Sequence, residues 1–527
     1  MATWTKRKSA LPSQEHDRNN KERVPLFDRI EETLDYVKET FSDCDDLTIR
    51  PVTIGKAPGY LLYMNVIVND SLLNGIEERL SELRHSPDPE RTDESATAQP
   101  FDRLQAAFPL SQATEEDDLN QVIDAILYGM TVLLLDGAPH ALRFQTVSSD
   151  GRGVDEPVTE QVVRGPREGF VEQLNTNVML IRRRIRSPDL KARFQVLGSM
   201  TRTGVAVLYV QGIADDAIVH EIHDRLRKIE LESVLESNYI EQCLQDAKWS
   251  PFPQLYTSER PDRICAGLLE GKVAIVTEGT PFVLLAPALF VEFLHSNEDY
   301  YDGSLPSTFI RWVRTLGLLI SCFLPAFYVA ITTIHQDLLQ TPLLIRISGF
   351  REDLPYPILI EALFMQLIFE LVREAGLRMP KAIGNAVTIV GTLVIGQAAV
   401  QAGLVGALMV IVVAVTALTT FVLPNYAFMQ VVRIISFPML LLGGMFGFMG
   451  IIVGLMFVLA HLCSLRSVGV PYLTPLSPAR RTGWADVFWQ SPWWAKQTSK
   501  LKSDSEQPAS AGPSDTRQPQ PGGGGSS

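Results

Sequence analysis

Charged and amide side chains interrupt an apolar segment, Pro357–Glu374, in the second half of this sequence. At about 100° per residue, Gln366, Glu370 and Arg373 fall on one stripe of a helix, and Glu361 points nearly opposite to Glu370. A charge at the centre of a bilayer costs about 2.5–3.5 kcal/mol, so such side chains need a partner or water. Gln366, Glu370 and Arg373 are therefore candidates for lining an ion path.

Three arrangements would satisfy these charges. A ring of Glu370 side chains from several copies of the chain would line a pore that favours cations. A helix lying at the membrane surface would instead keep its charges among the lipid headgroups. Buried pairing of glutamate with arginine inside one subunit is the third arrangement. The sequence leaves all three open.

The elements that must position this stripe belong to a long apolar block. Between Lys381 and Arg433 the chain has no Asp, Glu, Lys or Arg, and between Arg433 and Arg466 it again has none. A helix that rises about 1.5 Å per residue needs about 20 residues to cross the hydrocarbon of a bilayer. The block therefore predicts an integral membrane protein. Within it, the apolar segments Ala386–Ala402 and Ala407–Leu423 predict a helical hairpin with a tight turn.

Uncharged polar residues lie in the first arm of this hairpin. Thr388 and Thr392 share one face, and Gln397 and Gln401 share another. In lipid, such side chains hydrogen-bond to a neighbouring helix or line an aqueous path. Both roles stay open here, so Gln397 and Gln401 join the candidate pore-lining residues.

A last apolar segment, Ile434–Cys463, contains glycines at helical spacing. Gly443, Gly447, Gly450 and Gly454 are separated by four, three and four residues. Glycines on one helical face let two backbones approach closely. We therefore expect these four to pack helices together, either within one subunit or between subunits.

The first predicted span is Phe309–Ile334. Arg311 and Arg314 flank its start on the proposed inner side, as the positive-inside rule prefers. We expect four or five spans in all. A fifth span would place the C-terminus outside, yet Arg480 and Arg481, with tryptophans nearby, resemble an inner-face anchor. One of the apolar segments would then be re-entrant.

Charge is distributed unevenly along the 527 residues. Residues 1–300 carry 32 Lys and Arg against 49 Asp and Glu, whereas residues 301–527 carry 15 against 11. Nucleic-acid phosphates favour a basic surface. The acidic charge of residues 1–300 therefore argues against nucleic-acid binding. The first 23 residues are polar and have no apolar core, unlike a secretory signal. We therefore expect the N-terminal region in the cytosol.

An internal repeat organises this acidic region. Gly129–Pro139 is echoed by Gly271–Pro281, 142 positions later, and both are apolar strands that run into an acidic-glycine turn. Leu62-Tyr63 is likewise matched by Leu208-Tyr209. These matches predict an α/β soluble region of two related subdomains, followed by an α-helical polytopic membrane domain.

The sequence also predicts where the parts begin and end. In chain order we expect a disordered arm (1–23), α/β subdomain 1 (24–150), α/β subdomain 2 (151–300), the helical membrane domain (301–470), a membrane-flanking segment (471–497) and a disordered tail (498–527).

Known catalytic and cofactor motifs are missing from the sequence. It has no GxGxxG after a strand, Walker loop, HExxH or GxSxG motif, and its five cysteines show no metal-ligand spacing. We expect no enzyme activity, no cofactor and no metal site. A secondary transporter and a membrane-anchored assembly adaptor are the alternatives to a channel.

Several blocks in one order resemble the A subunit of the spore germination nutrient receptors of endospore-forming bacteria. They are GPREGFVEQLNTNVMLIRRRI from Gly165, PFPQLYTSERPD from Pro251, LLEGKVAIVTEGTPFVLLAP from Leu268, SNEDYY from Ser296, and REAGLRMPKAIGNAVTIVGTLVIGQAAVQAGLV from Arg373. The resemblance runs from about residue 110 to about residue 478.

This resemblance implies a partnership and a place in the cell. An A subunit of this family works with a polytopic B subunit, which senses the nutrient, and a lipoprotein C subunit in the inner membrane of the spore. The family's A subunit is thought to form a homo-oligomeric channel that releases monovalent cations. We therefore expect B-type and C-type partners, membrane lipid around the helices, and spore germination as the process served.

Overall fold

The computed structural model describes two compact units. One contains Met1–Gly153 and Val178–Arg193, and the other contains Val154–Asn177 and Phe194–Ser527. The structure describes residues 23–27, 29–54, 57–85, 113–138, 140–147, 156–157, 159–349, 351–352, 354–378, 394–477 and 486–490. Residues 1–22 of the predicted arm, the predicted tail, Thr388 and Thr392, and the predicted anchor residues Arg480 and Arg481 lie outside these residues. The predicted domain boundaries stay predictions.

The first unit is built on a five-stranded antiparallel sheet with strand order β1-β2-β4-β5-β3. Its elements are α1 (Ile30–Thr40), β1 (Leu47–Ile54), β2 (Ala57–Met64), α2 (Asp70–His85), β3 (Ala113–Glu116), α3 (Leu119–Tyr128), β4 (Thr131–Leu135) and β5 (Ala141–Phe144). Helix α3 begins where Oδ1 of Asp118 accepts the N–H of Asn120, and it ends at Gly129, whose φ is +92°. The helix is thus capped at both ends by local sequence.

A buried ion pair fastens the end of helix α4 (Leu174–Arg184) inside the first unit. Nε and Nη2 of Arg182 donate to the two carboxylate oxygens of Asp46 at 2.8 and 2.9 Å. Nη1 of Arg182 donates to the carbonyl of Leu190 at 2.7 Å. The side chains of the pair are 1% and 0% exposed, so each depends on the other for its hydrogen bonds.

A second five-stranded sheet repeats the strand order of the first, as β6-β7-β9-β10-β8. Its elements are β6 (Leu190–Leu197), β7 (Thr203–Val210), α5 (Asp216–Arg227), α6 (Ser237–Leu244), β8 (Tyr256–Ser258), α7 (Pro261–Leu269), β9 (Val273–Thr277) and β10 (Val283–Ala286). Corresponding strands start 142–146 residues apart in the two sheets. The same order at nearly the same spacing agrees with the sequence repeat.

The C-terminal part of the second unit is a helical bundle. Two 3₁₀ turns, Phe290–Leu294 and Asn297–Tyr300, lead into α8 (Ser304–Thr333), α9 (Thr341–Gly349), α10 (Ile358–Arg378), α11 (394–401), α12 (Ala407–Thr420) and α13 (Tyr426–Ser464). Among the described residues, α8 and α13 are long and apolar enough to cross a membrane, and α12 is a shorter apolar helix.

Helix α13 is interrupted at Gly447. Its backbone there has φ +60° and ψ −142°, which is not helical. A Cβ atom built on Gly454 would lie 2.6 Å from the sulfur of Met439. Fifteen residues of straight helix would separate these two positions by about 22 Å. The chain therefore reverses at Gly447, and residues 426–446 and 448–464 form a helical hairpin.

Aromatic contacts at the two ends of α13 lead to the same conclusion. The ring of Phe252 lies 6.5 Å from the ring of Phe428 and 5.9 Å from the ring of His461, measured between centroids. A straight helix would hold Phe428 and His461 roughly 50 Å apart. The apolar segment Ile434–Cys463, predicted as one helix, is thus two antiparallel helices with glycine at the turn.

The four predicted packing glycines are all buried within the subunit. A Cβ on Gly443 would lie 2.9 Å from the carbonyl oxygen of Ala326 in α8, while Gly450 and Gly454 face the other arm of their own hairpin. Gly447 has a different role from the other three glycines, because it adopts the positive φ that the turn of the hairpin requires. Their close approaches occur inside one chain.

After α13 the chain returns to the second sheet. Strands β11 (Arg466–Ser467) and β12 (Val470–Pro471) follow the hairpin. Val468 lies in the hydrophobic core of that sheet, and the hydroxyl of Ser467 donates to the carbonyl of Gln254. The segment after α13 therefore lies at the same end of the bundle as the start of α8.

Candidate functional site in the helical bundle

The polar stripe of α10 faces the interior of the bundle. Gln366 is 8% exposed, and the side chains of Arg373 and Glu370 are 10% and 19% exposed. The outer face of the same helix is apolar and exposed: Ile360, Phe364, Leu367 and Leu371. The three candidate residues therefore meet helices of their own chain, and their assignment to a pore stays a prediction.

Glu370 forms an ion pair with Arg433 of α13. Nε of Arg433 donates to Oε1 of Glu370 at 3.0 Å, and Nη2 donates to Oε2. Arg373 is more distant, because its Nη1 lies 3.9 Å from the same Oε1. Its guanidinium instead lies over the rings of Phe369 and Phe421, 5.1 and 4.9 Å from their centroids. This is the pairing within one subunit that the sequence allowed as a third arrangement.

Gln366 is oriented by Ser436. The amide Nε2 donates to the Ser436 hydroxyl at 2.6 Å, and that hydroxyl donates to the carbonyl of Arg433 at 2.8 Å. The Ser436 hydroxyl donates its only proton to that carbonyl, so it can only accept from Gln366. The Gln366 amide must therefore direct its NH₂ group at Ser436. Oε1 of Gln366 and Nε of Arg373 are buried and have no hydrogen-bond partner among the described residues.

These side chains surround a cavity between α8, α10, α12 and α13. The cavity has a volume of about 20 Å³, which is room for about one water-sized group, and it is partly open to the exterior of the bundle. Two arginines and one glutamate line it, together with polar and apolar residues: Ser321, Pro325, Gln366, Phe369, Glu370, Arg373, Val413, Thr416, Ala417, Thr420, Arg433 and Ser436. The cavity thus has an excess positive charge.

A second buried carboxylate closes the other end of α10. Oε2 of Glu361 accepts from Nη1 of Arg351 at 3.1 Å, and Oε1 accepts the backbone N–H of Gly406 at 2.6 Å. The Glu361 side chain is 1% exposed. Although Glu361 and Glu370 point in different directions, as predicted, both are neutralised by arginines of their own chain. Glu361 also ties α10 to the turn before α12.

The two remaining candidates lie elsewhere. Gln397 and Gln401 are one helical turn apart on α11, and both are exposed. Their neighbours Val394 and Ile395 are exposed as well. The structure therefore separates the five candidates into three that share an internal cavity and two that project from the bundle. The pore assignment of Gln397 and Gln401 also stays a prediction.

Arg433 is the residue of this site that the sequence interpretation missed. It is the only Asp, Glu, Lys or Arg between Lys381 and Arg466. A single charge in so long an apolar block needs a counter-charge, and the acidic residues of the apolar segment Pro357–Glu374 were candidates for it. The signal was present, but the partner among them could not be chosen without the packing of α10 on α13.

A second buried ion cluster joins the sheet region to the bundle. The carboxylate of Asp299 accepts from Nε of Arg311 at 3.3 Å and from Nη1 of Arg314 at 2.6 Å. Asp299 is 2% exposed, and Nη1 of Arg311 also donates to the carbonyl of Asp486 at 2.7 Å. Arg311 and Arg314, predicted to flank the start of the first span on its inner side, are buried and link the 3₁₀ turn to α8.

The described residues define a class of two-part protein, in which two related sheets with the same strand order are followed by an apolar helical bundle with a charged cavity. A model of the Bacillus/Clostridium GerA spore germination protein family matches residues 35–501. The chain belongs to this family. This membership confirms the resemblance found in the sequence blocks and supports a role in spore germination.

Individual relatives agree with the family match. Spore germination protein KA of Bacillus subtilis is 42% identical over 465 residues, which are 87% of this chain and 84% of the relative. YfkQ of Bacillus subtilis, an uncharacterized membrane protein, is 39% identical over 490 residues. The match covers 93% of this chain and 94% of YfkQ. These relatives are named as germination or membrane proteins and not as enzymes.

Among solved structures, the chain is similar to the N-terminal domain of the A subunit of the Bacillus megaterium spore germinant receptor GerK3. The identity is 29%, and the match covers 51% of this chain and 99% of that domain, with a TM-score of 0.37.

Proposed function

We propose that this chain is the A-type subunit of a nutrient germinant receptor and forms a homo-oligomeric, nutrient-gated channel for monovalent cations. Family membership and the similarity to spore germination protein KA support the receptor role. In this proposal, B-type and C-type subunits are its partners in the inner membrane of the spore. Nutrient binding to the complex opens the channel and starts germination.

The bundle has the length and polarity of a membrane domain. Helix α8 and the two arms of α13 are apolar, and their exposed side chains are those that lipid would contact. Because the chain after α13 returns to the second sheet, the number of crossings in this proposal is even. The N-terminal region and the residues after α13 then lie on the cytosolic side.

The exposure of Gln397 and Gln401 is the observation that carries the channel proposal. Both amides project from α11 beside exposed apolar residues, and an unpaired amide is unfavourable in lipid. A ring of subunits would place this face around a shared aqueous axis, where water and ions satisfy the amides. The paired Glu370 and Arg433 then act as supports inside each subunit.

The Asp299 cluster supplies a connection for gating. It holds the start of α8 to the turn that follows the second sheet. Both arginines are buried, so the cluster resists separation of the two parts. In the proposal, a movement of the sheet region in the receptor complex is passed through Asp299 to α8, which packs on α12 and α13.

Ion conductance of the purified chain in liposomes, with and without the partner subunits, tests this proposal. We expect potassium flux in the complete complex and a change of at least about tenfold in Gln397→Leu and Gln401→Leu proteins, since these remove the amides from the axis. Gln430→Leu, an exposed glutamine on α13, is the matched control and should conduct normally.

Each other result points to a different function. Saturable solute uptake without ion flux would support the transporter alternative. A complex that assembles normally but conducts no ions would support the adaptor alternative. Normal conductance in both glutamine variants, together with altered conductance in Glu370→Gln, would move the ion path to the internal cavity.

A further inference from the structure

The cavity between α8, α10, α12 and α13 has a charge imbalance that the described residues do not correct. Its titratable lining groups are Glu370, Arg373 and Arg433. Both oxygens of Glu370 accept from Arg433. Arg373, only 10% exposed, has no oxygen of Glu370 closer than 3.9 Å. A buried cation without a counter-charge is expensive, and the two aromatic rings around Arg373 offset only part of that cost.

Unused hydrogen-bonding groups accompany this charge. Nε of Arg373 is a buried donor and Oε1 of Gln366 is a buried acceptor, and neither has a partner among the described residues. The hydroxyl network of Ser436 fixes the direction of the Gln366 amide, so its free atom is the acceptor oxygen. Both groups line the cavity, so a bound group that accepts from Nε of Arg373 and donates to Oε1 of Gln366 would satisfy them.

We propose that this cavity binds a monovalent oxyanion, as a carboxylate or a phosphodiester, through Arg373. One oxygen of the anion accepts from Nε of Arg373, and a hydroxyl, an ammonium group or a bound water beside it donates to Oε1 of Gln366. The anion neutralises the excess charge and makes a charge-assisted hydrogen bond in a low-dielectric site. The cavity, of about 20 Å³, admits one oxygen of the anion beside Arg373, and its open side leaves the rest of a small organic acid or a lipid headgroup outside.

The anion would also stabilise the packing around the cavity. Arg373 belongs to α10 and lies over Phe421, which directly follows α12. Arg433 and Ser436 belong to the first arm of α13. A ligand bound at Arg373 therefore adds a polar contact where α10, the end of α12 and the first arm of α13 meet. This inference goes beyond the channel proposal and does not depend on which residues line a pore.

The test uses the purified full chain in detergent, with thermal unfolding as the measurement. Chloride is replaced by acetate or by dimethyl phosphate at constant ionic strength. We expect the unfolding midpoint to rise with either oxyanion in the native protein. Arg373→Gln should abolish the rise, and Arg373→Lys, which keeps the charge but loses the Nε donor, should weaken the apparent affinity about tenfold.

Arg378→Gln is the matched control. Arg378 is on the same helix, but its side chain is 79% exposed and pairs with Glu374. This variant should respond to the oxyanions as the native protein does. Comparing the two variants separates binding at Arg373 from general screening of the basic end of α10.

A second arm distinguishes a soluble anion from a lipid. Native mass spectrometry of the chain after exposure to phosphatidylglycerol or phosphatidylcholine reports retained lipid. Retention of phosphatidylglycerol in the native and Arg378→Gln proteins, but not in Arg373→Gln, would assign the site to a lipid headgroup. A response to acetate without lipid retention would assign it to a small carboxylate. The same response in the native and Arg373→Gln proteins, or none in either arm, would overturn the proposal.

Discussion

Replacing Gly447 by alanine is the most direct test of the helical hairpin. Gly447 has φ +60° and ψ −142°, a combination that non-glycine residues rarely adopt. A Cβ atom at this position would lie 2.7 Å from Nδ1 of His335 and closer still to Cε1. The substitution therefore strains the backbone and forces the imidazole to move.

The expected cost follows from these two effects. A residue held in a sparsely populated backbone region costs about 1–3 kcal/mol, and overpacking a filled site typically costs about 1–3 kcal/mol. The His335 ring also packs on Phe448, 4.7 Å away between centroids, so it is not free to swing aside. We expect Gly447→Ala to lower the free energy of unfolding by about 2–4 kcal/mol.

Denaturation of the full chain in mixed micelles of SDS and a mild detergent measures this change. Gly349→Ala is the matched control, because an added Cβ at Gly349 meets nothing within 4 Å. It should change the free energy by less than about 0.5 kcal/mol. Equal stability of the two variants would refute the reasoning about the turn.

The hairpin itself has an independent readout. Ala427 and the native Cys463 are both exposed and lie near the two ends of α13. A short thiol cross-linker should join Ala427→Cys to Cys463 within one chain, which proteolysis between the two positions would reveal. A straight helix would hold the two residues roughly 54 Å apart and give no intramolecular product. Absence of that product would refute the hairpin.

Two further predictions concern buried titratable side chains outside the bundle, Arg182 and His295. Arg182→Met leaves Asp46 buried without its partner and should cost about 3–5 kcal/mol in urea unfolding of the full chain, whereas Arg186→Met, on an exposed side chain, should cost less than about 1 kcal/mol. Burial and the charge of a nearby arginine hold the pKa of His295 well below its usual range, so the unfolded chain binds the extra proton and stability falls as pH drops below about 6.5, by up to about 1.4 kcal/mol per unit. His295→Gln, which keeps a donor for the carbonyl of Val487, should flatten that dependence, and an unchanged pH profile would contradict it.

Much of the sheet region was predictable from local sequence. The strand and turn pattern of Gly129–Pro139 reappears in Gly271–Pro281 because each encodes a buried strand and a glycine with positive φ, at Gly137 and Gly279. These requirements depend only on neighbouring residues, so they can be recognised in the sequence without the tertiary structure. The repeated strand order of the two sheets agrees with this interpretation.

The direction of the polar stripe was not predictable in the same way. Helical periodicity places Gln366, Glu370 and Arg373 on one face but does not say what that face meets. A pore, a membrane surface and an internal partner all satisfy the same spacing. Arg433 is the partner in the structure, 63 residues from Glu370, and only the packing of α10 on α13 brings the two together.

The sequence by itself determined that this chain joins a repeated, acidic α/β region to an apolar block with a single charged residue, Arg433, and its motifs determined the family. Composition, periodicity and turn chemistry are local properties, so they can be read without coordinates. Tertiary structure decided that the last apolar segment reverses at Gly447 and that the stripe of α10 encloses a positively charged cavity. Those features depend on which distant side chains meet, because a buried charge or a close backbone contact is satisfied by its neighbours in space and not by its neighbours along the chain.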